Sequence, residues 1–387
     1  MTDPRPTAPS PIVQEPPAPA GGLGMVVAGG GTGGHLFPGI AVAEEFLRRG
    51  STHRVLFIGT ERGIEKRVLP ELGLPLRTLR VEGIKGRGIR RSLGALVKIP
   101  AGLAASFKII GEFHPAIVLG VGGYASGPAV LAARLIGIPT AVAEQNALPG
   151  LTNRILGRFA DRIFLTFEAS RRWFPEARTM VTGNPIRSAF LAGGMERQKG
   201  DAFTVLVFGG SQGASAINRI VTEALDDLAP LRERLRFIHQ SGEKERGAVE
   251  AAYCRKGFTA KVLAFIMDMA AAYREADLLI CRAGATSIAE LTAAGKAAIL
   301  IPFPHAVNDH QTRNAEVLAA AGAAELIVEK GLTGRHLAGI IERFSRDPES
   351  VRKMERAAAA LGNRHAAETI VDACLELIRD RRPKERG

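Results

Sequence analysis

A glycine-rich run, VVAGGGTGGH over residues 26–35, places a threonine and a histidine between an apolar segment and an amphipathic one. Backbone N–H groups in such a turn, together with the start of the helix that follows, can meet phosphate oxygens without any cationic side chain. Two further runs have the same character, GVGGYASGP at 120–128 and FGGSQGAS at 208–215. Any one of them could be no more than a tight turn. Three at the ends of apolar runs imply substrates with separate phosphates on opposite walls of a cleft. The first run meets the GxGxxG spacing through Gly29, Gly31 and Gly34, but the next apolar run ends in FIGTERG with no acidic residue at its tip. A dinucleotide fingerprint is therefore not met.

A fourth turn, RAGATSIAEL at 282–291, leads into a helix that carries Glu290 about one and a half turns along. A carboxylate there can accept paired hydrogen bonds from ribose hydroxyls, although an isolated helix glutamate is more often simply solvated. PFPHAVNDHQTRNA supplies Asp309, His310 and Gln311 near a helix start, suited to sugar hydroxyls, while Asn308 and Asp309 could equally be plain helix caps. EQNALPGLTNR at 144–154 and GNPIR at 183–187 put amide and guanidinium groups at strand exits, where open α/β sheets bind ligands and where turn chemistry alone would also place them.

These groups need strands behind them and helices after them. MVVAG, VLFIG, AIVLGVG, PTAVAEQ and RIFLTF read as buried strands separated by amphipathic stretches, which predicts a parallel sheet with right-handed crossovers. A helix is expected to begin near Phe37. LAGGMERQKGDA breaks the rhythm, and RFIHQSG, KVLAFI, DLLICRAG and AAILIPFP then repeat it. The expectation is two doubly wound α/β domains facing each other across a cleft. Residues 1–22 form a Pro/Ala-rich leader without apolar periodicity, 23–190 the first domain, 191–202 a linker, 203–365 the second domain, and 366–387 a C-terminal helix with a basic tail.

A chain of 387 residues suits two domains, and 46% apolar residues with only 5% aromatics imply cores of Val, Ile, Leu and Ala. The three cysteines, Cys254, Cys281 and Cys374, have neither a disulfide nor a metal-ligand spacing, which fits a reducing compartment. No stretch is apolar enough to span a bilayer, and no secretory signal opens the chain. The net charge of +12 is uneven: residues 1–190 hold 23 Lys and Arg against 13 Asp and Glu, a net +10. With one Trp, three Tyr and none of the usual nucleic-acid motifs, the partner is expected to be an anionic membrane surface or a polyanionic substrate rather than nucleic acid.

Taken together and in this order, GGGTGGHLFPGIAVA, EGIKGRG, GGYASGP, EQNALPG, GNPIR, GGSQGA, HQSG and the AGATSIAE and HQTRNA pair closely resemble the MurG family of bacterial peptidoglycan N-acetylglucosaminyltransferases over roughly residues 24–380. The resemblance implies a GT-B fold and inverting, metal-free transfer of N-acetylglucosamine from UDP-N-acetylglucosamine to undecaprenyl-pyrophosphoryl-MurNAc-pentapeptide (lipid I), giving lipid II. No cofactor is implied, and cell-wall synthesis complexes are possible partners. The family pattern would put the Ile266 main chain near uracil, Glu290 on the ribose, Ser211 at the diphosphate and Gln311 on the sugar hydroxyls. Thr32, Gly33, Gly34, Asn146 and Arg187 match positions that contact the donor or close the cleft. The loops carrying Gly31, Gly123, Tyr124 and Ser126 would face the acceptor diphosphate. Met267 stands where relatives often have an acidic residue, and HQTRNA lacks an adjacent pair of glutamines found in some of them.

In that chemistry negative charge grows on the β-phosphate as the glycosidic bond breaks, and loop N–H groups can stabilise it. The attacking hydroxyl must lose a proton, and His35 is the candidate base, because imidazole titrates near neutrality. Alternatives are another acceptor, a sugar-nucleotide epimerase, and a nucleotide-binding scaffold. Docking on the inner membrane's cytoplasmic face is expected through Ile84, Lys85, Arg87, Arg90, Arg91, Leu93, Leu96 and Val97, where cations rim an apolar helical face. Leu103 to Ile110 is expected to pack on its own sheet.

Overall fold

The computed structural model describes residues 22–61, 63–79, 89–191, 202–210, 214–306 and 309–381, with 89–99 described by backbone alone. A seven-stranded sheet contains β1 (Gly24–Gly29), β2 (Arg54–Thr60), β3 (Leu76–Leu79), β4 (Ile117–Gly122), β5 (Thr140–Glu144), β6 (Arg162–Leu165) and β7 (Thr179–Val181). A six-stranded sheet contains β8 (Phe203–Phe208), β9 (Leu235–Gln240), β10 (Thr259–Leu263), β11 (Leu278–Cys281), β12 (Ala298–Leu300) and β13 (Glu325–Leu326). Every pairing is parallel, in the orders β3-β2-β1-β4-β5-β6-β7 and β10-β9-β8-β11-β12-β13.

The helices of the first half are α1 (Gly33–Arg48), α2 (Glu65–Glu71), α3 (Ile89–Phe113), α4 (Ser126–Leu135) and α5 (Leu151–Leu156). Those of the second are α6 (Ser215–Ala224), α7 (Arg246–Arg255), α8 (Met269–Glu275), α9 (Ala285–Ala294), α10 (His310–Ala320), α11 (Gly334–Arg346), α12 (Pro348–Leu361) and α13 (Ala366–Arg381). They cover both faces of each sheet, so the central strands alternate between two apolar layers instead of between core and water. In β1, Met25 and Val27 enter the core shared with α1, while Val26 and Ala28 enter the one closed by α3 and α4. In β8, Val205 and Val207 meet α6 and α11, while Leu206 and Phe208 meet α8 and α9.

The chain crosses between the halves twice. Ile186 and Phe190 pack into the second half's core, and α13 returns to close the first, burying Ile370, Val371, Cys374 and Ile378. Ile109, Ile110 and Phe113 at the end of α3 are buried against the first sheet, as expected. The first helix starts at Gly33, four residues before the predicted position. Thr32 has extended backbone at the N-cap, and the glycines after it take helical dihedrals, so the turn and the helix share the same residues. The strands read from the sequence are all present. The short edge strands β3, β7 and β13 were not foreseen, since two to four residues give too little periodicity to read. Among the described residues, no helix is long and apolar enough to cross a membrane.

Candidate active site

In the first sheet the order of strands reverses between β1 and β4, and in the second between β8 and β11. Loops at such switch points diverge and leave a crevice at the strand C-termini. The glycine runs of the sequence lie at these exits.

The loops after β1 and β4 interlock. Gly30 N–H donates to Gly122 O at 3.3 Å. Gly29 has φ 147°, and a Cβ there would stand 2.2 Å from Gly122 O; one on Gly123, at φ 84°, would stand 2.6 Å from Gly30 O. Side chains are excluded at both by contact as well as by dihedral. A residue not singled out in the sequence holds this arrangement. Glu65, fully buried at the start of α2, accepts from Gly31 N–H at 2.8 Å, Thr60 N–H at 2.7 Å and Thr60 Oγ1 at 2.9 Å. Sequence spacing gives no sign of it, because the carboxylate closes on a loop 34 residues away.

His35, in the first turn of α1, sets its Nδ1 3.0 Å from Gln145 Oε1. Gln145 follows β5, whose last residue is a second buried carboxylate that the sequence does not single out. Glu144 accepts from Asn146 N–H (2.9 Å), Asn146 Nδ2 (3.1 Å), Gly150 N–H (3.0 Å) and Asn153 Nδ2 (2.9 Å), which fixes the whole QNALPG loop.

On the facing wall, Glu290 is 5% exposed, so it is not the solvated helix glutamate that was one alternative. Burial pushes its carboxyl above the usual range, and the Arg187 guanidinium pulls it part of the way back. Arg187 Nη2 donates to Glu290 Oε1 at 2.8 Å and lies over the Phe37 ring at 4.2 Å, so one side chain ties both halves together. A second tie depends on Pro38. Proline has no N–H to give to the carbonyl four residues earlier, and that carbonyl, Gly34 O, accepts instead from Thr286 Oγ1 at 3.2 Å. Gln240 joins Ile266 N–H to Gly210 O through bonds of 2.8 and 2.7 Å. Gln311 Oε1 accepts from Phe303 N–H at 3.0 Å, and among the described residues no hydrogen bond engages its amide hydrogens.

These walls enclose a cavity of about 790 Å³. Thr32, Gly33, Gly34, His35, Asn146 and Arg187 line it from the chain's first half. Ile266, Glu290 and Gln311 line it from the second. Gly31, Gly123, Tyr124 and Ser126 do not line it; they form the adjoining loop pair, with Tyr124 exposed and Ser126 buried at the start of α4. Asp309 stands at the N-cap of α10 with φ 54°, its Oδ1 accepting from Thr312 Oγ1 at 2.6 Å. Ser211 lies outside the described residues, as do Ile84, Lys85 and Arg87; of Arg90, Arg91, Leu93, Leu96 and Val97 only the helical backbone is described. Residues 1–21 of the predicted leader, most of the predicted linker and the last six residues also lie outside them.

Residues 25–165 match the N-terminal domain of glycosyltransferase family 28, and residues 204–370 match its C-terminal domain. A protein of Syntrophus aciditrophicus (strain SB) is 60% identical over 356 residues, spanning 92% of this chain and 99% of its own length. It is named UDP-N-acetylglucosamine--N-acetylmuramyl-(pentapeptide) pyrophosphoryl-undecaprenol N-acetylglucosamine transferase. The chain belongs to glycosyltransferase family 28, and within it to the MurG family. The crystal structure of Acinetobacter baumannii MurG superposes with a TM-score of 0.67 at 33% identity, covering 92% of this chain and 99% of that one. A UDP-N-acetylglucosamine 2-epimerase from Neisseria meningitidis shares the fold alone, with a TM-score of 0.62 at 16% identity over 92% of this chain and all of its own. A family 28 member with two doubly wound domains is a glycosyltransferase, and its cleft is the place where a sugar donor and an acceptor would meet.

Proposed function

We propose that this chain transfers N-acetylglucosamine from UDP-N-acetylglucosamine to the lipid-linked pyrophosphoryl muramyl pentapeptide, making lipid II. The observation that carries the proposal is the single cleft in which a buried acidic residue and a glycine loop of the second half face His35 and the glycine loops of the first. The named activity of the 60% identical relative supports the same substrates. The uridine diphosphate sits on the second half, with Glu290 on the ribose, Ile266 at the uracil and Gln311 on the sugar hydroxyls. The loops at 29–34 and 122–126 receive the acceptor's diphosphate.

The reaction inverts the anomeric carbon in one displacement. His35 takes the proton of the attacking hydroxyl, and loop N–H groups near Ser211 and the start of α9 stabilise the charge that grows on the departing UDP. These fixed donors do the work a divalent cation would do elsewhere, so turnover persists in a chelator. UDP release that depends on acceptor, with and without chelator, tests the reading.

The acceptor's lipid cannot leave the bilayer, so the first domain docks on the cytoplasmic face of the inner membrane. Besides the basic segment at 84–97, Leu151, Ile155 and Phe159 form an exposed stripe at spacing four on α5 and the turn after it, with Arg154 and Arg158 beside them. Each basic residue near an anionic surface adds about 1 kcal/mol of attraction. Replacing Lys85, Arg87, Arg90 and Arg91 with Gln abolishes sedimentation with anionic vesicles and spares UDP binding; vesicle binding at the parental level would place the docking face elsewhere. Docking there also brings the enzyme within reach of cell-wall synthesis complexes.

A further inference from the structure

We propose that Gln145 is a positioning residue that sets the tautomer of His35, so that the imidazole offers an unprotonated Nε2 to the cleft. The inference rests on the reading of His35 as the base and adds to it what makes the ring competent. Gln145 is 2% exposed at the end of β5, and its amide Nε2 donates to Ala143 O at 3.3 Å. A backbone carbonyl only accepts, so the amide's NH₂ faces Ala143 and its oxygen faces His35 at 3.0 Å. That oxygen also only accepts, and His35 Nδ1 must therefore carry the proton. A neutral imidazole has a single N–H, which leaves the lone pair on Nε2. Among the described residues Nε2 takes part in no hydrogen bond, while the ring lines the cavity.

The surroundings keep this geometry from relaxing. A Cβ on Gly122 would lie 2.8 Å from Nδ1 and 2.9 Å from Cε1, so the ring can lie against the loop only because glycine is there. Glu144 pins the chain on the far side of Gln145 through the N–H groups of Asn146 and Gly150. In the transfer step the acceptor O–H proton passes to Nε2 while that oxygen bonds the anomeric carbon. The bond from that carbon to the β-phosphate oxygen breaks, and its electron pair leaves with UDP. The imidazolium that results already directs Nδ1–H at a carbonyl dipole, so no group has to turn. With the proton on Nε2 instead, the lone pair would lie on Nδ1, facing the Gln145 oxygen, and the ring could accept nothing from the cleft.

The test is a long-range ¹H–¹⁵N correlation spectrum of ring-labelled histidine, with the His35 signal assigned by its loss in His35→Ala. The parent is expected to show Nδ1 protonated and Nε2 bare; the opposite pattern overturns the proposal. Gln145→Leu removes the acceptor and should give mixed tautomers and about a 10-fold or greater loss of kcat, with KM for UDP-N-acetylglucosamine unchanged. Gln145→Glu keeps an acceptor-only group and should retain the parental tautomer and most of kcat. If Gln145→Leu does not fold, the parent spectrum and Gln145→Glu decide. Tautomer change without loss of kcat in Gln145→Leu would also overturn the proposal. Full turnover in His35→Ala would instead remove His35 as base and leave the tautomer assignment standing.

Discussion

Under the proposed function, Glu290 serves two states with one carboxylate. In the free cleft its Oε1 is held by Arg187 at 2.8 Å, which offsets part of the cost of burial; with nucleotide bound, the carboxylate can also accept from the ribose hydroxyls. Such charge-assisted contacts are worth about 1.5 to 3 kcal/mol. Glu290→Ala is thus expected to weaken UDP binding by about 10-fold to 100-fold by calorimetry. Unchanged affinity in a folded variant would take Glu290 out of the donor site. Glu290 itself was legible in the sequence because it follows a glycine turn at helical spacing. The roles of Glu65 and Glu144 were not, since each acts on a loop whose position only the folded sheet determines, and the EQNALPG amides gave no sign that Gln145 would meet His35. A carboxylate that closes a turn looks, in sequence, like any other surface carboxylate.

At the scale of elements, β1, β4, β8 and β11 could be read because each is a buried apolar run leading into a glycine-containing turn, and the order of those runs also gave two domains. The sequence could not give the contacts between domains. Pro38 reads as a helix breaker, yet it lies inside α1 and frees Gly34 O for Thr286, so part of its effect is a bond between domains. Thr286→Val keeps the shape and loses that bond, together with the 3.4 Å contact from Asn184 Nδ2. A net hydrogen bond is worth about 0.5 to 1.5 kcal/mol, so kcat/KM should fall by about 2-fold to 10-fold in steady-state assays, with the melting temperature little changed. Equal kcat/KM would mean that this contact is not kept in the productive complex.

At the scale of the whole molecule, the two halves are tied together by α13 and by the 186–190 segment, and the second half carries a buried group that sets an acid limit on the fold. His239 is fully buried between Tyr253 Oη and Asn218 Oδ1, both at 3.0 Å, and burial lowers its pKa to about 3. The unfolded histidine titrates near 6.5, so below that pH the unfolded chain binds a proton the folded one refuses. Stability is therefore full above about 6.5 and falls as pH drops toward 3, by up to about 1.4 kcal/mol per pH unit from this residue. Urea midpoints for the parent and for His239→Gln should converge as pH drops from 7 to 4.5; parallel curves would mean that His239 is charged in the fold.

The most direct test of the account joins both halves of the cleft in one reaction. The enzyme is given UDP-N-acetylglucosamine labelled in the sugar, with a shortened lipid-linked pyrophosphoryl muramyl pentapeptide and a chelator. Label is expected in the lipid-linked product, with one UDP released per sugar transferred, and neither is expected without acceptor. Label that stays on the nucleotide with full acceptor present, or sugar released to water or epimerised in its absence, would contradict the account.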